Sequence, residues 1–179
     1  TAPKVKRDGA ERLGAEVIYE GTTSLERRAK AEEIAEEQGL VIVPPFDHRH
    51  IIAGQGTVGL EIAREWPDVD LVLAPIGGGG LISGSAIAAK AINPNIKVIG
   101  AEPAGADDAY HSLKSKMLIP CNNPDTIADG LRASLGSLTF PIILKYVDDI
   151  ITVSDNEIIL AMQTIWGEMK IAIEPSSAV

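Results

Sequence analysis

The chain alternates between short apolar runs and longer stretches in which apolar residues recur every three or four positions. The run at residues 70–76 predicts a strand buried on both faces, and 96–101 and 150–153 predict two more strands. Shorter β-rich runs predict strands at 15–19 and 40–43. The helical periodicity predicts helices over residues 3–13, 23–39, 47–66, 80–93, 107–116, 138–147 and 154–170.

Several predicted helices carry capping signals at their ends. Ser and Thr three residues before Glu form capping boxes, and Pro and Gly flank a helix at its start and end. Asp is a preferred residue just before the first helical turn. The predicted capping residues are Pro3 and Gly14, Thr23 with Glu26, Gly39, Asp47, and Ser154 with Glu157.

The alternation of strand and helix along the whole chain is typical of α/β proteins. We therefore expect an open parallel sheet with helices on both faces, connected by right-handed crossovers. The segment Pro44-Pro45-Phe46-Asp47 interrupts the pattern and is the predicted domain junction.

Composition narrows the possible partners. The 179 residues include 16 basic and 25 acidic side chains, which give a net charge of −9. An acidic surface repels phosphate backbones and anionic headgroups, so we expect no nucleic-acid and no membrane partner. Cys121 is the only cysteine in the sequence, which excludes a disulfide within this chain and favours a cytoplasmic location.

Four consecutive glycines, Gly77 to Gly80, lie between the predicted strand 70–76 and an Ala-rich helix. Backbone without Cβ atoms wraps an anion closely, and the following helix presents the positive end of its dipole. A tight turn without a ligand is the alternative, and four glycines at this place favour anion binding. We call Gly77–Gly80 the glycine loop.

Two nucleotide-binding motifs do not account for the glycine loop. It continues as Leu81-Ile82 and not as Gly-Lys-Ser/Thr, which excludes a P-loop. Residues 54–59 match G-x-G-x-x-G, but they lie inside a predicted helix and do not follow a strand. A phosphate monoester is therefore the favoured ligand.

The run Pro75–Gly84 resembles the phosphate loop of the fold-type II pyridoxal-phosphate (PLP) enzymes. Four further segments, in matching order and spacing, are similar to the branch that contains serine racemases and threonine dehydratases. They are Ile52–Thr57, Ala101–Pro103, Ala128–Gly130 and Ile173–Ser176.

The resemblance implies a tryptophan synthase β-like fold with two domains. Residues 1–46 would be the C-terminal part of the small domain, and 47–179 most of the large PLP-binding domain. It also implies a set of cofactor-binding residues, namely Gly77, Gly78, Gly79, Gly80, Leu81, Phe46 and Glu174. From the residues alone, Glu174 is equally explained as a capping or ion-paired carboxylate.

Glu102 and Asp108, which we call the carboxylate pair, flank a short turn of small residues. Two carboxylates around such a turn can bind Mg²⁺ or Ca²⁺. By itself the pattern favours the simpler alternative that Asp107 or Asp108 caps the next helix. The resemblance reverses that preference, because it implies a metal site formed by Glu102, the carbonyl of Ala106, and Asp108, and this site favours the racemase side of the branch.

A PLP enzyme needs a lysine for its cofactor, and no lysine here lies in the family's Ser-x-Lys-x-Arg-Gly context. Lys90 is ten residues beyond Gly80 along a helix, and Lys97 begins a strand at the opposite edge of the sheet. The resemblance therefore implies that the chain is an internal portion of a longer protein and that it contains no catalytic residue.

The implied parent is a homodimeric serine racemase that also dehydrates serine and threonine, with L-serine and L-threonine as substrates. A threonine dehydratase proper and a hydroxyaspartate dehydratase are the nearest alternatives. A cysteine synthase relative and a non-catalytic phosphate-binding α/β module also remain open.

Overall fold

A computed structural model describes residues 3–21 and 24–179. The chain divides into two compact units, Thr1–Val43 and Pro44–Val179, which we call unit 1 and unit 2. Their identification with a small and a large domain stays a prediction. No helix of the described residues is both long and apolar enough to cross a membrane.

The described part of unit 1 contains two helices, α1 (Lys4–Arg12) and α2 (Ser24–Gln38). Gly14 and Gly39 follow them with φ of +88° and +65°, the left-handed backbone that commonly ends a helix. The predicted capping box at Thr23 lies outside the described residues.

The strands predicted at 15–19 and 40–43 are absent, so this prediction was wrong. A strand needs a neighbouring strand to exchange backbone hydrogen bonds with. The described part of unit 1 contains no strand. Val41 is 89% exposed, which shows that apolar composition alone did not bury this segment.

Unit 2 is built on a parallel sheet of three strands, in the order β1 (Leu71–Pro75), β2 (Lys97–Pro103) and β3 (Asp149–Val153). The predicted α/β class with a parallel sheet is confirmed. The sheet places the carboxyl ends of all three strands at one edge, where ligands bind in open α/β folds.

Five α-helices accompany the sheet, and two 3₁₀ helices cover Asp129–Leu131 and Pro175–Ser177. The predicted capping box of the last helix is confirmed, with Ser154 and Glu157 exchanging hydrogen bonds. The five helices are α3 (Arg49–Glu65), α4 (Gly80–Ile92), α5 (Asp108–Ser115), α6 (Thr139–Tyr146) and α7 (Asp155–Met169).

The core lies between the sheet and its helices, and its largest members are aliphatic: Ile76, Ile82, Ile96, Val98, Ile143 and Ile150. The prediction that the strand at 70–76 is buried on both faces was wrong for this chain. Leu71 and Leu73 are 44% and 52% exposed, whereas Val72 and Ala74 are buried. Alternate side chains point to opposite faces, so one face of β1 lies in the core and the other at the surface of the chain.

Residues 54–59 lie inside α3, as predicted, and Gly59 has a packing role there. A Cβ at Gly59 would lie 2.3 Å from the carbonyl oxygen of Ser85, and one at Gly84 would lie 2.2 Å from that of Ile52. The glycines therefore let the backbones of α3 and α4 touch.

Candidate functional site

The glycine loop connects the end of β1 to the start of α4. Gly77, Gly78, Gly79 and Gly80 are all buried. Within the described residues, none of their four N–H groups has a hydrogen-bond acceptor. Buried amides without partners are rare, and the first turn of α4 adds its dipole, so this group of donors is suited to an anion.

Two of the four positions show why glycine is needed. Gly79 has φ of +84°, where other residues are strained, and its Cβ would lie 2.9 Å from both Leu135 and Ile143. A Cβ at Gly77 would lie 3.0 Å from the carbonyl oxygen of Gly130. Close packing therefore explains part of the glycine content, and the unpaired amides supply the independent sign of a ligand.

Phe46 lies on the glycine loop. A Cβ at Gly78 would be 2.4 Å from its ring, and one at Gly80 would be 2.9 Å from its Cβ. The structure thus brings Phe46 to the glycine loop, although 31 residues separate Phe46 from Gly77 along the chain.

Two other segments of the resemblance meet beside Gly77. The backbone N–H of Gly130 donates to the Ser176 hydroxyl at 3.0 Å. A Cβ at Gly130 would lie 3.7 Å from a carboxylate oxygen of Glu174, which is an exposed side chain at the start of the Pro175–Ser177 turn. Gly130 thus lies next to both Gly77 and the Glu174 carboxylate, which places Glu174 near the glycine loop.

Thr139 supports the glycine loop, and Asp47 in turn supports the segment that contains Thr139; neither role was predicted from the sequence. The Thr139 hydroxyl donates to the carbonyl of Gly78 at 2.8 Å. Asp47 accepts hydrogen bonds from the backbone N–H groups of Ser137, Leu138 and Thr139 at 2.9–3.1 Å. No local signal marks these contacts, because each joins residues far apart in the chain.

Asp47 was predicted to cap α3, and that prediction was wrong. The residue before α3 is His48, whose ring accepts from the His50 N–H. Asp47 caps the N-terminus of α6 instead, because the fold places these amides within reach of its carboxylate.

The carboxylate pair is buried at the carboxyl end of β2. Glu102, near the end of β2, is fully buried and accepts from the N–H groups of Ala109 and Tyr110 at 3.1 and 2.8 Å. Asp108, the first residue of α5, is 5% exposed. Its Oδ2 accepts from the Leu135 N–H at 3.2 Å, whereas Oδ1 is buried without a partner.

This geometry overturns the simpler interpretation of Asp107 and Asp108 as helix caps. Neither side chain caps α5, because Glu102 already accepts the amides of its first turn. The Asp107 carboxylate lies 3.1 Å from Nε2 of His111, on the surface.

Burial is the main influence on the carboxylate pair. It raises the pKa of Glu102 from 4.5 to about 8, against the opposing effect of the two amide donors and with a contribution from Asp108. It also raises the pKa of Asp108 from 3.8 to about 6. No Lys, Arg or His of the described residues forms an ion pair with either carboxylate. Two buried acids without a cation, one with an unpaired oxygen, fit a divalent metal ion.

The side chains do not form a complete metal cage. In the described part of the chain, no three His, Cys, Asp or Glu side chains are grouped to hold a metal ion. A cation at the carboxylate pair would need other oxygen ligands, such as the carbonyl of the buried Ala106 and water.

Cys121 lies beside Asp108. Burial, followed by the charge of the nearby Asp108 carboxylate, raises the pKa of the thiol to about 11. A protonated thiol is a poor nucleophile. The environment of Cys121 is therefore unfavourable for a nucleophile.

Neither lysine considered from the sequence has a nucleophile's environment. Lys90, in the last turn of α4, forms an ion pair with Asp148 at 2.8 Å. Lys97 begins β2, at the end of the strand opposite to the carboxylate pair.

A family model described as pyridoxal-phosphate dependent enzyme matches residues 1–179. Serine racemase of Oryza sativa subsp. indica is 47% identical over 178 residues, which cover 99% of this chain and 52% of that protein. The structure of maize serine racemase has a TM-score of 0.95 at 43% identity and covers 99% of this chain and 54% of that one. The structure of the processed form of threonine deaminase isoform 2 from Solanum lycopersicum has a TM-score of 0.91 at 39% identity, with 100% and 50% covered.

The chain spans about half the length of the curated relatives that it matches. Similarity therefore extends over the whole of this chain but over only part of each relative.

Proposed function

The chain belongs to the pyridoxal-phosphate-dependent enzyme family, and from that premise we propose that the protein containing it is a serine racemase with serine and threonine dehydratase activity. The observation that carries the proposal is the set of four buried, unpaired N–H groups of the glycine loop at the N-terminus of α4. The chain is 47% identical to a serine racemase, which supports racemase activity in preference to the other activities of the family.

In this proposal the glycine loop holds the phosphate of PLP. The unpaired amides of Gly77–Gly80 donate to the phosphate oxygens, and the α4 dipole adds favourable electrostatics. Phe46 packs on Gly78 and Gly80 and limits access of water to one side of the loop. Leu81 follows in the first turn of α4, and Glu174 lies at the Gly130 end of the site.

When bound, PLP withdraws electrons from the α-carbon of a joined amino acid and so makes its proton easier to remove. In the proposed protein this chemistry would serve the conversion of L-serine to D-serine, and of serine or threonine to a keto acid and ammonia. The proposal assigns the proton-transferring groups to residues other than those of this chain, in keeping with the ion-paired Lys90.

We also propose that Mg²⁺ or Ca²⁺ binds Glu102, the carbonyl of Ala106, and Asp108. The unpaired Oδ1 of Asp108 and the absence of a cationic partner among the described residues support this site. Glu102 already accepts two amides of α5, so a cation here would tie β2 to α5 in a structural or activating role.

Threonine dehydratase is the second candidate, favoured by the threonine deaminase structure, which is almost as similar as that of the racemase. The two functions are separated by incubating the purified, PLP-saturated protein with L-serine or L-threonine. D-serine, pyruvate, 2-oxobutyrate and ammonia are then quantified. D-serine formation supports the racemase, and keto acid without D-serine supports the dehydratase.

The different-class alternative is a phosphate-binding module without catalysis. Absence of a visible PLP absorption band after saturation, together with calorimetric binding of a nucleotide, would establish it. If the protein binds PLP but turns over none of these substrates, the proposed cofactor site stands and the proposed enzymatic activity is rejected.

We further propose a homodimer in a reducing compartment such as the cytoplasm. The single cysteine, which allows no disulfide within the chain, supports the compartment. Light scattering of the purified protein at several concentrations tests the dimer, and a monomeric mass throughout would reject it.

A further inference from the structure

The carbonyl of Gly78 points into the protein, where the Thr139 hydroxyl donates to it at 2.8 Å. Thr139 is fully buried. Its oxygen also accepts from the Gly136 N–H at 2.8 Å and lies 3.4 Å from the Gly136 carbonyl. The hydroxyl has one proton, and the shorter distance assigns it to Gly78.

This contact fixes the orientation of one peptide plane. The bond between Gly78 and Gly79 is trans, since the described chain has no cis peptide, so its C=O and N–H point in opposite directions. When the Gly78 carbonyl points to Thr139, the N–H of Gly79 points away from Thr139. No group of the described residues accepts that N–H.

The backbone itself does little to hold this plane, because both flanking residues are glycines. Glycine occupies regions of φ and ψ that other residues avoid, so a peptide between two glycines reorients easily. The partners of Thr139 are in turn fixed. Its own N–H donates to Asp47 at 3.1 Å, and its carbonyl accepts from the Ser83 hydroxyl at 3.5 Å.

We propose that Thr139 is a positioning residue of the cofactor site: its hydroxyl holds the Gly78–Gly79 peptide so that the Gly79 N–H faces the phosphate. The inference rests on the proposed function, because it takes the glycine loop as the phosphate site of PLP. Thr139 acts through the Gly78 carbonyl and does not touch the cofactor.

The test compares Thr139→Val and Thr139→Ser in the intact protein that contains this chain. Val keeps the shape of Thr and removes the donor, whereas Ser keeps the donor. We expect Val to weaken PLP binding by about tenfold, a factor equivalent to ~1.4 kcal/mol. Ser should restore wild-type affinity, as measured by titration of the apoprotein with PLP.

The ³¹P resonance of the bound cofactor is the second measurement. It should shift in the Val variant and remain at the wild-type position in the Ser variant. The control is Ser154→Ala, which removes the capping box of α7 and lowers stability without touching the glycine loop. The control should keep both the affinity and the ³¹P shift.

Wild-type affinity and ³¹P shift in Thr139→Val would overturn the inference, as would an equal loss of affinity in Ser154→Ala. If the Val variant does not fold, glycine-selective ¹⁵N labelling of the wild-type protein decides. The Gly79 amide resonance should move when PLP is added, and an unmoved Gly79 resonance in a PLP-bound protein overturns the inference. Failure of the wild-type protein to bind PLP would reject the proposed function itself.

Discussion

At the residue scale, the glycine loop shows that one residue type is used for two physical reasons. Gly77 and Gly79 are enclosed by protein atoms, and Gly79 also has left-handed backbone. Gly78 and Gly80 leave room for Phe46, which covers them. At all four positions a side chain would collide with neighbouring protein atoms. Their N–H groups, which have no acceptor among the described residues, remain available to bind an anion.

Gly79→Ala should lower both stability and PLP affinity. The added methyl group would lie 2.9 Å from Leu135 and Ile143, and φ of +84° is unfavourable for alanine. We expect a loss of about 1–3 kcal/mol in the free energy of unfolding, measured by urea denaturation, and weaker binding in a PLP titration.

Gly167→Ala is the matched control for this change. Gly167 lies in α7, and nothing is within 4 Å of a Cβ there. Alanine in a helix interior should be neutral or stabilise by roughly 0.5–1 kcal/mol. Equal behaviour of the two variants would contradict the account of Gly79.

At the scale of elements, the N-terminus of α6 is the part of unit 2 that most clearly depends on a distant residue. It has no side-chain cap from its own flanking residues. Asp47 supplies one from 90 residues away, with its two carboxylate oxygens sharing three backbone amides and the Ser137 hydroxyl. A charged acceptor at this end of a helix is favourable both as a hydrogen-bond partner and with respect to the dipole.

Asp47→Ala should therefore destabilise the protein by about 1–2 kcal/mol, as measured by chemical denaturation. Asp47→Asn keeps acceptor capacity in one oxygen and should lose less. Ser154→Ala gives a reference value for the loss of a local cap on α7. An Asp47→Ala variant as stable as the wild type would show that these amides are satisfied by water.

The elements themselves were largely predictable because their signals are local. The periodicity located α3 to α7 and β1 to β3 closely, and the Ser154–Glu157 capping box is present as expected. The strands expected at 15–19 and 40–43 failed for the opposite reason. Strand formation depends on a partner elsewhere, and the apolar pattern carries no information about whether one is present.

The residues of the candidate site also differ in whether a local sequence signal or a contact between distant residues defines their role. The glycine loop is a short sequence signature in itself, whereas the carboxylate pair was singled out as a metal site only through the resemblance to the family. Thr139 and Asp47 were missed because their roles arise from contacts across the fold. Glu102 was proposed as a metal ligand, but its acceptance of two α5 amides was not foreseen, since seven and eight residues separate the partners.

At the scale of the whole molecule, the carboxylate pair makes stability depend on pH. A carboxyl group with a higher pKa in the folded than in the unfolded protein takes up a proton on folding between those two values. For Glu102 the window runs from 4.5 to about 8, and for Asp108 from 3.8 to about 6. Their contribution to the free energy of unfolding of the metal-free protein should fall as pH rises through these windows and level off above them.

We therefore expect the chelator-treated protein to be less stable near pH 8 than near pH 5, by on the order of a few kcal/mol since each pKa unit corresponds to ~1.4 kcal/mol. A divalent ion favours the charged carboxylates, so Mg²⁺ or Ca²⁺ should raise the melting temperature more at the higher pH. Thermal denaturation with chelator and with added metal measures both effects.

Glu102→Gln is the control for the pH experiment. The amide does not titrate, so the slope of stability against pH should decrease and the response to metal should shrink. An unchanged slope in this variant would assign the pH dependence to other groups. An unchanged melting temperature of the wild type in metal would reject the proposed cation site.

The hydrogen bond between Thr139 and Gly78 joins positions 61 residues apart, and that between Thr139 and Asp47 joins positions 92 apart. Such contacts form only when long loops close, which costs conformational entropy. During synthesis the glycine loop leaves the ribosome long before Thr139 does. Under the proposed role of Thr139, the growing chain at that stage lacks the hydroxyl that orients the Gly78–Gly79 peptide, so its phosphate site should hold the vitamin-derived cofactor less tightly until α6 has been made and has folded against the loop.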